Sequence, residues 1–193
     1  MKVIDLINSS KSTAFSFEIL PPLKGNSIQK VYNVIDKLIE FDPKYINITS
    51  HHSEYIYKTL PDGSFQKINI RKRPGSVAIA SAIQNKYGIT AVPHIICKGF
   101  TKDETEYALI DLNFLGVYDL LLLRGDVKTL EAGQKTDIYH EHATDLQQQV
   151  NDFNKVAKTP LEEWIYYLNT GEISESAHAP GLAEVRERLK VDG

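Results

Sequence analysis

One cysteine, Cys97, is all that this 193-residue chain carries. A single thiol excludes an intramolecular disulfide framework. No apolar run approaches the roughly 20 residues that a membrane-spanning helix needs. Met1 to Ser10 has no long apolar core, so no secretion signal is expected. A strong charge of either sign is missing too. Lys and Arg number 22 against 25 Asp and Glu, a formal net charge of -3. That excludes the whole-chain basic footprint of a nucleic-acid binder. Arg71, Lys72 and Arg73 are only a local basic cluster. No G-x-G-x-x-G or P-loop signature follows any strand-like segment, which disfavours a dinucleotide-binding Rossmann domain. What remains is a cytoplasmic globular protein with enough residues for one domain and a real core.

What is present is a strand–helix alternation organised around Phe15 to Pro22, FSFEILPP. Phe15, Phe17 and Ile19 alternate with Ala14, Ser16 and Glu18 at the period of a strand. Pro21 and Pro22 supply no backbone donors, so pairing stops there. Glu18 therefore falls near the C-terminal end of a first strand, the end where parallel α/β proteins build their chemistry. Its neighbours Phe17 and Ile19 suggest partial desolvation, which suits a proton donor. The competing reading is an edge-strand Glu that faces water.

A short helix over Val3 to Ile7 precedes that strand, which runs from Ala14 to Leu20. Ser27 caps a helix with Ile28, Val31, Val34, Ile35, Leu38 and Ile39 at helical spacing. Tyr45 to Ser50 is a second strand. His51 to Asn69 reads as a long polar loop with a turn at Pro61, Asp62 and Gly63. A helix from about Pro74 to Lys86 ends at Gly88, and Thr90 to Cys97 is strand three. Thr101 and Glu104 form a capping box for the next helix. Asp119 to Arg124 is strand four, apolar enough for burial on both faces. Val127 to Asp137 is a polar loop, and a fourth helix runs from His142 or Thr144 to about Asn154.

Four strand–helix units imply right-handed parallel crossovers. The expected fold is α/β, the N-terminal half of a (β/α)8 barrel of the TIM type over residues 1–155. Residues 156–193 are expected to be an unrelated helical tail. Within it Lys158 to Thr170 is read as an amphipathic helix and Pro180 to Lys190 as a charged one, with no fifth strand.

The strand ends supply a short list of candidates: Glu18, Thr49, His94, Arg124, Gly125 and Asp126. Polar groups at matching ends of four buried strands exceed what burial alone tolerates. Singly, His94 reads first as a satisfied core histidine and Thr49 as a strand former. Arg124 to Asp126 reads equally as a strand terminator with a weak surface ion pair. His51, His52 and Glu54, and His140, Glu141 and His142, do not match the spacing of a zinc helix, so no metal is expected. Cys97, inside a strand, reads as a small buried hydrophobe.

SFEILPP, NITSHHSE, AVPHIICKGFT, LLLLRGD and HATDL, in that order and spacing, resemble the methylenetetrahydrofolate reductase family over residues 1 to about 155. The resemblance implies an eight-stranded (β/α) barrel that binds FAD. It implies partners NAD(P)H and methylenetetrahydrofolate, and methyltetrahydrofolate as a product used for methionine synthesis. It makes Glu18 the general acid that protonates a folate nitrogen, and gives Asp126 a catalytic part beside the flavin. Thr49, His94, Arg124, Gly125 and Asp126 fall where the family contacts FAD. His142 and Ala143 match an aromatic-then-alanine pair at the flavin, with His142 in the aromatic's place. Ser50 and His52 depart from the tyrosine and alanine of some members.

The family's later elements are not found after Lys155. These are the next strand, the helix on the cofactor diphosphate, and the glutamines and arginine that hold folate. The tail from about Pro160 resembles the C-terminal helices of nuclease-like transposases. The expectation is therefore a truncated or rearranged frame with weak or no activity alone. Two alternatives stay open. One is an assembly module, a homo-oligomer in which half-barrels close each other's edges. The other is a transposase-associated fusion.

Overall fold

The computed structural model describes residues 2–51, 54–98, 100–125, 138–157 and 161–166. In chain order the elements are α1 (Val3–Ser9), β1 (Ser16–Ile19), α2 (Gln29–Leu38) with a 3-10 turn at Ile39–Phe41, β2 (Tyr45–Ile48), β3 (Glu54–Thr59), β4 (Phe65–Ile70), α3 (Ser76–Tyr87), β5 (Thr90–Ile96), α4 (Lys102–Phe114), β6 (Asp119–Leu123), α5 (Ala143–Asn154) and β7 (Glu162–Tyr166). Five strands form one sheet in the order β1-β2-β5-β6-β7. Every pair in it is parallel. The order never reverses, so there is no switch point of the doubly wound kind. It is the arc of a barrel, with helices between successive strands, and the expected half-barrel class holds.

Register decides which residues share a face. Ile19 pairs with Ile48, and Ile46 with Ala91. Ile95 pairs with Leu122. These residues pack with Ile35, Ile79, Ile83, Leu109, Leu112 and Leu146 in one buried cluster between sheet and helices. Each fully buried Ile or Leu there contributes about 1.5–3 kcal/mol of transfer free energy. Successive side chains on a strand point to opposite sides. Glu18, Asn47, Val92, His94, Leu121 and Leu123 therefore take the other face, at the remaining register positions.

The ends of the helices follow local chemistry. Glu104 N–H donates to Thr101 Oγ1 at 3.1 Å, and Thr101 N–H donates to Glu104 Oε2 at 2.9 Å, the expected capping box. Gly88 ends α3 with φ 67°, a left-handed conformation that glycine adopts without strain. The helix expected to be capped by Ser27 begins at Gln29, with Ile28 at the cap position and no side-chain cap bond. Among the described residues no helix is long and apolar enough to cross a membrane.

Two expected elements are also replaced. The segment read as a long polar loop over His51 to Asn69 holds an antiparallel hairpin, β3 against β4, with Tyr57 opposite Lys67. Its turn does fall at Pro61 to Gly63, where Leu60 and Ser64 are bonded and Gly63 has φ 83°. The segment read as a helix from Lys158 holds strand β7, parallel to β6 with Leu121 opposite Trp164. The open edge of β6 offers unpaired backbone groups, and pairing overrides the helical spacing of the apolar residues. Asn154 sets the approach: its Nδ2 donates to the Leu161 carbonyl at 2.9 Å, and Leu161 N–H donates to its Oδ1 at 2.7 Å. Residues 167–193, most of the expected helical tail, lie outside the described residues, as does the Val127 to Asp137 loop.

At the opposite end of the sheet, Val3 N–H donates to Asp119 Oδ1 at 3.0 Å. This buried bond latches α1 onto the start of β6.

Candidate active site

β1, β2, β5 and β6 end at a common rim, and parallel pairing puts their C-terminal ends side by side. Glu18 is the penultimate residue of β1 and His94 stands two residues before the end of β5. Glu18 Oε2 lies 3.7 Å from His94 Nε2, with the Glu18 side chain 58% exposed and that of His94 5% exposed. The distance is too long for a hydrogen bond.

The desolvation expected of Glu18 is not found. Phe17 and Ile19 flank it in sequence, but the pleat turns them to the helix side. There Phe17 meets Phe41 edge-on at 6.1 Å, and Ile19 joins the core. The burial falls on His94 instead, and pushes its pKa down to about 4. His94 is therefore neutral at pH 7, with one ring N–H and one lone pair. Its backbone is fixed as well: Ser76 Oγ donates to the His94 carbonyl at 2.9 Å, tying the start of α3 to β5.

Thr49 follows β2. Its N–H and its hydroxyl both donate to the Ile19 carbonyl, at 3.1 and 3.3 Å, which locks the ends of β1 and β2 together. The same hydroxyl lies 3.3 Å from His51 Nε2. Arg124 follows β6. Gly125 next to it has φ 75°, and a Cβ there would lie 3.5 Å from Ile96 Cβ. The chain thus turns tightly over the end of β5, in a conformation that L side chains rarely adopt. Asp126, expected to serve both catalysis and the cofactor, lies outside the described residues, as does His52.

The pair His142 and Ala143 divides. His142 is exposed at the N-cap of α5, and its N–H donates to Asp145 Oδ2 at 2.9 Å. Ala143 is buried in the core cluster with Cys97. Burial pushes the Cys97 thiol up to about 12, Asp145 raises it further and Arg124 opposes. The start of α5 and the ends of β5 and β6 therefore meet at one place.

Among the described residues, two buried side-chain polar atoms lack a hydrogen-bond partner: His94 Nε2 and Arg124 Nε. Both belong to the rim, on neighbouring strands. A buried donor or acceptor left unpaired costs about 1–3 kcal/mol. A ligand with polar edges would satisfy both, and a flat heterocyclic cofactor fits that requirement.

Beside the rim, a cleft of about 350 Å³ runs from Ser50 and His51 to the loop of Arg71, Lys72 and Arg73. Sequence reasoning passed over it because the intervening hairpin was read as loop. The signal was the enrichment of aromatic and β-branched residues in EYIYKT and FQKINI on the two sides of a Pro-Asp-Gly turn.

A family model described as Methylenetetrahydrofolate reductase matches residues 2–159. The Methylenetetrahydrofolate reductase (NADH) 1 of Arabidopsis thaliana is 28% identical over 129 residues, 65% of this chain and 19% of that protein. The 5,10-methylenetetrahydrofolate reductase of Escherichia coli (strain K12) is 27% identical over 139 residues, 72% of this chain and 41% of that protein. The chain thus spans about two fifths of the bacterial relative and about one fifth of the plant one. Among solved structures, the 7,8-dihydropteroate synthase from Vibrio fischeri ES114 overlays with TM-score 0.40 at 13% identity, covering 93% of this chain and 70% of that one.

Proposed function

Because this chain belongs to the methylenetetrahydrofolate reductase family, we propose that it supplies one arc of a site that reduces 5,10-methylenetetrahydrofolate to 5-methyltetrahydrofolate with FAD and NAD(P)H. The observation that carries this is the pair of orphaned polar atoms, His94 Nε2 and Arg124 Nε, on two of the residues that the resemblance assigns to the cofactor. FAD, when bound, supplies the hydride relay between nicotinamide and folate.

The chain's own residues have separate tasks. His94, neutral and rigidly held, offers Nε2 to a polar edge of the cofactor. Arg124 offers Nε–H beside it. Gly125 lets the backbone come close where a side chain would stand. Thr49 fixes the spacing of the first two strands and keeps its hydroxyl at the rim. His142 presents an exposed ring at the start of α5, and Ala143 sets that helix against the core. Asp126, by the same resemblance, adds a carboxylate at the turn. Glu18 gives its proton to a nitrogen of the folate five-membered ring as the bond from that nitrogen to the bridging carbon breaks. The bonding pair goes to the protonated nitrogen. The carbon is left as an iminium on the other nitrogen and becomes the methyl group on taking hydride. Since His94 is uncharged at neutral pH, its 3.7 Å approach to Glu18 is not an ion pair.

Glu18→Gln in the protein carrying this chain tests the assignment. Gln keeps the shape and has no acidic proton. Bound flavin and NAD(P)H oxidation with a quinone acceptor should persist, while folate reduction falls about 10²–10⁴-fold. Folate reduction unchanged in the variant would remove Glu18 as the acid. A wild-type protein that retains no flavin would overturn the site itself.

A further inference from the structure

We propose that the cleft beside the rim is an anion subsite, built from Arg71, Lys72 and Arg73 and the start of α3. It would take the multivalent oxyanion end of a ligand, either nucleotide phosphates or the carboxylates of a glutamyl chain. The reductase reading bears only on which ligand that is; the anion site stands on its own geometry.

Three consecutive cations line the cleft with His51 and Glu54. Arg71 pairs with Glu104 and Lys72 with Glu54. All four of those side chains are about half exposed, so both pairs are weak and exchangeable. Among the described residues, three cations against these two carboxylates leave a positive surplus. Arg73 Nη1–H donates to the Pro21 carbonyl, which pins that guanidinium between the β1 loop and the cleft wall. Lys24 N–H donates to the Lys72 carbonyl at 2.7 Å, so the backbone of the basic segment is held as well.

The helix that opens at this cleft adds to the same preference. Gly75, a lining residue, is the N-cap of α3, makes no side-chain cap bond, and no acidic residue stands in the first turn. The Ser76 hydroxyl is engaged by the His94 carbonyl. By contrast α4 has Thr101, Asp103 and Glu104 at its start, and α5 has Asp145. The positive end of this 12-residue helix therefore carries no acidic side chain of its own, and its field adds to the three side-chain charges. The cleft also begins at Ser50 and His51, directly after Thr49, whose hydroxyl lies 3.3 Å from His51 Nε2, so it adjoins the end of β2.

Acetylation footprinting of the whole chain tests this without turnover, so its outcome is separate from that of the Glu18 test. Inorganic pyrophosphate and N-acetyl tri-glutamate are titrated at fixed ionic strength, and mass spectrometry reads Lys72 against Lys30, an exposed lysine on α2. At roughly ten times its dissociation constant, a bound anion leaves about one site in eleven free, so Lys72 acetylation should slow about tenfold with Lys30 unchanged. Protection by pyrophosphate identifies the phosphate source, and protection by the peptide the carboxylate source. The same footprint in Arg71→Gln should lose most of the protection. No protection by either anion, equal protection of both lysines, or full protection in Arg71→Gln would overturn the assignment.

Discussion

Ile95 and His94 are neighbours on β5, both buried, and they take opposite faces of the sheet. Ile95 lies in the cluster with Leu120, Leu122 and Ile48, every one of them fully buried. His94 keeps a ring nitrogen with no protein partner and a pKa pushed down to about 4 by the same burial. The helix side of the sheet gains from burial, and the rim side gives some of that gain up. Stability and chemistry are therefore separable here, one residue apart.

The largest effect should come from the helix side. Leu120→Ala removes a fully buried side chain, and should cost about 2–5 kcal/mol in urea denaturation. A cost below 1 kcal/mol would mean that this face is not the core. Acid should act next, and through the rim. His94 takes a proton near pH 6.5 when unfolded but only near pH 4 when folded. Acid therefore favours the unfolded chain. Stability is fully present above pH 6.5 and falls by about 3 kcal/mol between pH 6.5 and 4 on this account. His94→Gln should flatten that part of the curve, as measured by urea midpoints at each pH. Identical slopes in the two proteins would show that His94 is not buried neutral. The smallest effect on stability should come from Arg124→Met. It removes an unpaired buried donor, so folding should gain about 1 kcal/mol rather than lose stability, while FAD retention weakens. A large loss of stability would place Arg124 with the packing residues rather than with the rim.

The helix side was legible because apolar periodicity is redundant. Val31, Ile35, Ile79, Ile83 and the run Leu120 to Leu123 announce their elements several times over. Thr101 and Gly88 mark helix ends by local chemistry that tertiary contacts do not override. The rim was legible as a set of strand-end positions, Glu18, Thr49, His94 and Arg124. Which of them would be buried was not, because the pleat and not the sequence neighbour decides that. Phe17 and Ile19 flank Glu18 and shield nothing on its side. The hairpin was missed because its apolar residues, Ile56, Tyr57, Phe65 and Ile68, are interleaved with Lys58, Gln66 and Lys67 and keep no single period along either strand. β7 was missed for another reason. Its helical spacing is real, and only the waiting edge of β6 and the amide of Asn154 make it a strand.

The bond from Val3 N–H to Asp119 spans 116 residues. On a chain made from its N-terminus, α1 emerges long before its acceptor exists. A seven-residue helix does not hold its shape in water alone. Docking of α1 must therefore wait until β6 has been synthesised and laid down, so protection of the Val3 amide from exchange is expected to report the moment at which β6 joins the sheet.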